Sequence, residues 1–65
     1  MFDLVELSKR EQEVAALVRK GLSNKEVADQ LFVSEKTVKF HLGRIFKKRN
    51  VKNRNQLIVQ LIKAS

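Results

Sequence analysis

Between Ser34 and Arg54 the chain sets eight basic side chains, Lys36, Lys39, Arg44, Lys47, Lys48, Arg49, Lys52 and Arg54, against one acid, Glu35. The other acids, Asp3, Glu6, Glu11, Glu13, Glu26 and Asp29, all precede Ser34. Ammonium and guanidinium groups concentrated in this way pair with a polyanion such as a phosphodiester chain, the competing reading being a solvated basic surface. Other chemistries find few residues to work with. There is one histidine, His41, and no cysteine, too little for a zinc site or a disulfide. Paired carboxylates, a nucleophile–base set and a glycine-rich phosphate loop are all missing from the sequence. The expectation is therefore no enzyme, no catalytic residue, no bound metal and no cofactor, with His41 a packed or semi-buried structural residue.

These cations need elements to hold them. With 65 residues the chain has room for one domain, marginally stable and reliant on a compact core. Proline is absent and there are two glycines, which favours helix throughout. Residues 1–7 read as a linker or lead-in and 8–64 as the domain. The first helix is expected from Lys9 to about Lys20, with Ser8 and Glu11 as a capping box and Gly21 as its stop. The second is expected over Asn24–Leu31, where Ser23 and Glu26 repeat the capping box. Phe32 and Val33 then read as a tight apolar connection. The third opens at the N-cap Ser34 and runs to about Arg49, and the fourth opens at Asn53 and runs to about Lys63. The expected fold is all-α, a four-helix bundle whose second and third helices have the short joint of a helix-turn-helix. No apolar stretch approaches a membrane span and no signal-peptide pattern is visible, so a cytoplasmic protein with no membrane partner is expected.

On a helical wheel of the third helix, Val38, Leu42, Ile45 and Phe46 share a narrow sector, the core stripe. The opposite face carries Lys36, Phe40, Gly43 and Lys47, flanked by Lys39 and Arg44. A phenylalanine at the centre of an outer face is unusual, and a glycine one turn on costs about 1 kcal/mol of helix propensity relative to alanine. Taken singly, either is as readily an incidental surface residue. A helix in a DNA major groove gives each a role. Lysines reach guanine O6/N7 or phosphates, phenylalanine packs on a thymine methyl, and glycine lets the helix axis approach the bases. The helix starts at Ser23–Asn24–Lys25 and at Ser34–Thr37 also offer backbone N–H groups and hydroxyls suited to phosphates, as well as ordinary caps. The candidate base contacts are Lys36, Lys39, Phe40, Gly43 and Arg44. The candidate phosphate contacts are Asn24, Lys25, Ser34, Thr37, Lys47 and Lys48.

Residues 7–62 resemble the LuxR-type helix-turn-helix domain, the output domain of bacterial transcription regulators. The resemblance rests on REQEV at Arg10–Val14, Gly21, SNKEVA at Ser23–Ala28, SEKTVKFH at Ser34–His41 and KNR at Lys52–Arg54. It implies a four-helix domain whose third helix enters the major groove. Base contacts would fall at Lys36, Lys39, Phe40 and Gly43, and phosphate contacts near Asn24, Lys25, Thr37 and Lys48. It also implies a fourth helix that commonly dimerises. Ala15 stands where leucine is usual, Leu57 where alanine is common, and Phe40 and Gly43 where side chains are often polar. Base preference therefore does not carry over from relatives.

The fourth helix bears Leu57, Ile58, Val59, Leu61 and Ile62, more apolar surface than one core stripe uses. Val59 and Ile62, with Gln56 and Gln60, are the candidate dimer contact, the other reading being that most of them are core. The expected partners are double-stranded DNA, a second copy on DNA, and RNA polymerase. The expected function is sequence-specific DNA binding by a transcription regulator or its output domain. Two alternatives stay open. A sigma-factor-like promoter-recognition domain shares a similar pattern, and a protein-binding helical adaptor would use Phe40 as its anchor.

Overall fold

The computed structural model describes residues 6–64; residues 1–5 of the expected lead-in lie outside them. Four helices form, α1 (Lys9–Arg19), α2 (Asn24–Leu31), α3 (Glu35–Arg49) and α4 (Arg54–Ala64), and the described residues contain no strand. The fold is all-α.

The starts are set by side chains that accept from otherwise unpaired backbone donors. Ser8 Oγ accepts from Glu11 N at 3.2 Å while Glu11 Oε1 accepts from Ser8 N at 2.9 Å. Ser23 and Glu26 repeat this box at 3.1 and 2.8 Å. Ser34 Oγ accepts from Thr37 N. At α4, Asn53 Oδ1 accepts from Gln56 N and Gln56 Oε1 accepts from Lys52 N. Each such cap contributes about 1 kcal/mol.

The first three helices end alike. Gly21, Phe32 and Asn50 take positive φ, and the residue after each sends its N–H back to a carbonyl five positions earlier: Leu22 to Leu17, Val33 to Ala28 and Val51 to Phe46. This is the hydrogen bond of a Schellman end. It turns Leu22, Val33 and Val51 inward, where they pack against the core.

The same ending corrects the reading of the joint between α2 and α3. Val33 packs inward, but Phe32 is 94% exposed at φ 58°, ψ 44°. The left-handed residue points away from the helix pair so that its successor can turn in. Phe32 thus carries both an exposed ring and a backbone conformation that costs an L-residue about 1–2 kcal/mol.

α3 lies at the centre, against both α1 and α2, and α4 closes onto α1. Val14, Val18, Val27, Val38, Ile45 and Leu57 are fully buried, each stabilising the fold by about 1.5–3 kcal/mol relative to exposure. Leu7, assigned from sequence to the lead-in, is also buried in this core. Among the described residues, no helix is long and apolar enough to cross a membrane.

Candidate nucleic-acid interface

The wheel of α3 is realised in three dimensions. Val38, Leu42 and Ile45 are buried and Phe46 is half-buried against the core, while Lys36, Lys39, Phe40, Gly43, Arg44 and Lys47 are exposed on the far side. Phe40 keeps 61% of its surface in solvent. The Arg44 guanidinium carbon sits 5.7 Å from the Phe40 ring centre, and the His41 ring meets Phe40 edge-on. His41 is half-buried, with Nδ1 lacking a hydrogen-bond partner among the described residues. A Cβ added at Gly43 would meet nothing within 4 Å. Nothing inside the domain therefore demands glycine there.

The two flanks of this face differ in charge. On one, Glu11 of α1 is almost fully buried, yet ionised, between two cations of α3. Lys48 Nζ donates to its Oε1 at 2.7 Å and Arg44 Nε to its Oε2 at 3.1 Å. The Lys48 hydrogen bond first, then the Ser8 N–H, hold the Glu11 carboxyl down at about 2, against burial, which pushes it up; Arg44 assists. Lys48 also reaches the Glu6 carbonyl. Arg44 and Lys48, respectively a candidate base contact and a candidate phosphate contact, thus share one internal anion. Sequence reasoning saw Glu11 only as a cap. The signal available was a pair of cations spaced i, i+4 on α3 with no acid within a turn of either, Glu35 lying at the far end of that helix.

On the other flank, Arg54 spans from the start of α4 to α2. Its Nη1 donates to Asn24 Oδ1 at 2.6 Å and its Nη2 donates to the Leu22 carbonyl. Arg54 was not among the candidate site residues, and its motif position alone did not reveal the bridge. Asn24, Lys39, Lys52 and Arg54 share the walls of one recess whose floor includes Leu42 and Phe46.

The remaining candidates fall around these flanks. Lys25 pairs with Asp29 at 3.5 Å in solvent, an interaction worth under about 1 kcal/mol that leaves Lys25 available. The Ser34 and Thr37 hydroxyls lie 3.0 Å apart at the start of α3. Lys36, Lys39 and Lys47 enter no ion pair among the described residues. On α4, Val59 and Ile62 are about half exposed, at 51% and 54%. A shallow groove beside them is lined by Asn55, Gln56, Val59, Gln60 and Lys63. Gln56 and Gln60 are partly occupied within the fold, Gln60 Nε2 donating to the Arg49 carbonyl.

This arrangement has relatives. Spore germination protein GerE of Bacillus subtilis is 44% identical over 57 residues, covering 88% of this chain and 77% of that protein. Oxygen regulatory protein NreC of Staphylococcus carnosus is 47% identical over 57 residues, 88% of this chain but 26% of that protein. The CsgBAC operon transcriptional regulatory protein of Escherichia coli K12 is 52% identical over 52 residues, 80% of this chain and 24% of that protein. The chain thus spans about a quarter of the length of most of these relatives and about three-quarters of GerE. Residues 5–61 match the sequence profile of the family described as bacterial regulatory proteins, luxR family. With that match over most of its length, a tight α2–α3 joint and four capped helices, the chain belongs to the LuxR family of bacterial regulatory proteins.

Proposed function

We propose that this chain binds double-stranded DNA sequence-specifically, with α3 in the major groove, as the DNA-binding part of a transcription regulator in the bacterial cytoplasm. One observation carries the reading: the second helix of a helix-turn-helix presents three lysines that enter no ion pair among the described residues, around an exposed Phe40 and a glycine that the fold itself does not need. A helix about 10–12 Å across fits a groove about 12 Å wide. Lys36, Lys39, Phe40, Gly43 and Arg44 face the bases, and Asn24, Lys25, Ser34, Thr37, Lys47 and Lys48 lie toward the phosphates. Val59 and Ile62, with Gln56 and Gln60 beside them, form the contact to a second copy on paired half-sites. RNA polymerase is a further partner, met by the bound regulator at the promoter.

The test is fluorescence anisotropy on labelled duplexes across a salt series. Affinity should fall steeply with salt, by a slope of about 0.9 in log K per phosphate neutralised. Lys39→Ala should cost about 1–3 kcal/mol on a selected site and less on random DNA. Full-strength binding by a Lys36/Lys39/Lys47 triple alanine variant would sink the groove reading. Binding that requires core RNA polymerase would favour the sigma-factor-like alternative.

A further inference from the structure

We infer that DNA binding by this domain is tuned by cytosine C5 methylation, because Phe40 and the open backbone at Gly43 form a notch that takes a 5-methylpyrimidine, thymine or 5-methylcytosine, with Arg44 as the positioning residue that holds the ring. The inference rests on the reading of α3 as a groove-binding helix and names the base chemistry that this helix takes.

The Phe40 ring is 61% exposed, yet two neighbours hold it. The Arg44 guanidinium carbon lies 5.7 Å from its centre. The His41 ring meets it at 5.7 Å between centres and 65° between planes. Arg44 is itself moored. Its Nε donates to Glu11 Oε2 at 3.1 Å, and Glu11 is fixed to the fold by the Ser8 N–H and Lys48 Nζ. A line of contacts thus runs from a buried carboxylate on α1 through Arg44 to an exposed aromatic ring. A ring placed in advance loses less freedom when it binds than a loose one.

The helical period puts both supports on one side of the ring. At about 100° per residue, Arg44 and His41 lie to one side of Phe40 and Gly43 to the other. A Cβ added at Gly43 would meet nothing within 4 Å, so the side facing Gly43 is open down to the backbone. The result is a notch with an aromatic wall and a floor without a side chain.

The C5 methyl is the apolar group on the major-groove edge of a base pair, and thymine and 5-methylcytosine carry it at the same atom. Uracil and cytosine carry hydrogen there. Lys36, Lys39 and Lys47 around the notch gain nothing from a methyl, so its effect falls on Phe40. Covering one methyl group is worth about fourfold in affinity.

The experiment measures duplex affinity on sites selected from a random pool, with each thymine replaced singly by deoxyuridine. At one position the wild type should lose about three- to fivefold. Cytosine and 5-methylcytosine are then compared at that position, and methylation should raise affinity by a similar factor. Phe40→Ala should bring both ratios to about one. Arg44→Lys keeps the charge but not the planar group against the ring. It should lower both ratios while leaving the salt slope near that of the wild type, a change that loss of a cation alone does not produce. Wild-type affinity that responds to methylation at no position would overturn the inference and leave the groove reading intact. Ratios that survive in Phe40→Ala would place the methyl against another residue and overturn it equally. Ratios unchanged in Arg44→Lys would overturn the positioning role. A wild type that does not bind duplex DNA would overturn the inference and the groove reading together.

Discussion

Glu11→Gln is the substitution whose size can be worked most directly from the structure. The glutamine keeps an acceptor for the Ser8 N–H but loses the charge that holds Lys48 and Arg44. A carboxyl drawn from 4.5 to about 2 carries about 3 kcal/mol of stability at neutral pH, since each tenfold change in proton affinity is worth about 1.4 kcal/mol. The Arg44 side chain is 54% exposed, and solvent screens its share, so about 2 kcal/mol is the working figure. A domain of this size has about 3–10 kcal/mol in total, and the loss should lower Tm by roughly 10 °C. The sign of the pH dependence follows from the direction of the shift. Because the folded carboxyl titrates below its unfolded value, the contribution is complete above about pH 4.5 and disappears as pH falls toward about 2. Thermal unfolding followed by circular dichroism between about pH 7 and pH 2 should show the wild type and Glu11→Gln converging through that window. A variant within about 0.5 kcal/mol of wild type at neutral pH, or a gap that stays constant on acidification, would show that the Glu11 charge does not stabilise the fold.

Three further substitutions probe the outer surface. Gly43→Ala should stabilise the fold by about 1 kcal/mol in urea titrations, because the added methyl meets open space, and should weaken DNA binding if the helix axis lies close to the bases; unchanged affinity would remove that role from Gly43. Phe32→Gly should raise stability by about 0.5–1 kcal/mol, the left-handed strain relieved exceeding the extra freedom of the unfolded glycine, and a loss of stability would mean that the exposed ring contributes to the fold. Val59→Asp should leave binding to a single half-site unchanged and abolish cooperative occupation of paired half-sites in gel shifts; retained cooperativity would move the dimer contact away from α4.

What could be read from the sequence was what is local. Ser8, Ser23 and Ser34 announce helix starts because each accepts from a backbone N–H three residues on, and Gly21 announces a stop because glycine takes positive φ at little cost. The exposure of Lys36, Phe40 and Lys47 follows from helical period once Val38, Leu42 and Ile45 are assigned inward. The remainder depends on contacts distant in sequence or on competition between neighbours. Glu11 meets Arg44 and Lys48 across separations of 33 and 37 residues, and its capping role gave no hint of a second one. Arg54 reaches Asn24 across 30 residues. Phe32 and Val33 are both apolar, and only the Schellman hydrogen bond from Val33 to Ala28 decides which of them turns inward. Leu7 precedes the first cap, so no helical period exists to place it in the core.

In the proposed complex, α3 reads bases from the major groove. Sites selected from a random DNA pool can be rebuilt with 7-deazaguanine, which deletes only the N7 acceptor on the major-groove edge. A loss of about tenfold is expected at each contacted guanine, shrinking to nothing in Lys39→Ala at the guanine that Lys39 reads. Undiminished affinity on the substituted sites, with losses only when minor-groove groups are altered, would contradict it.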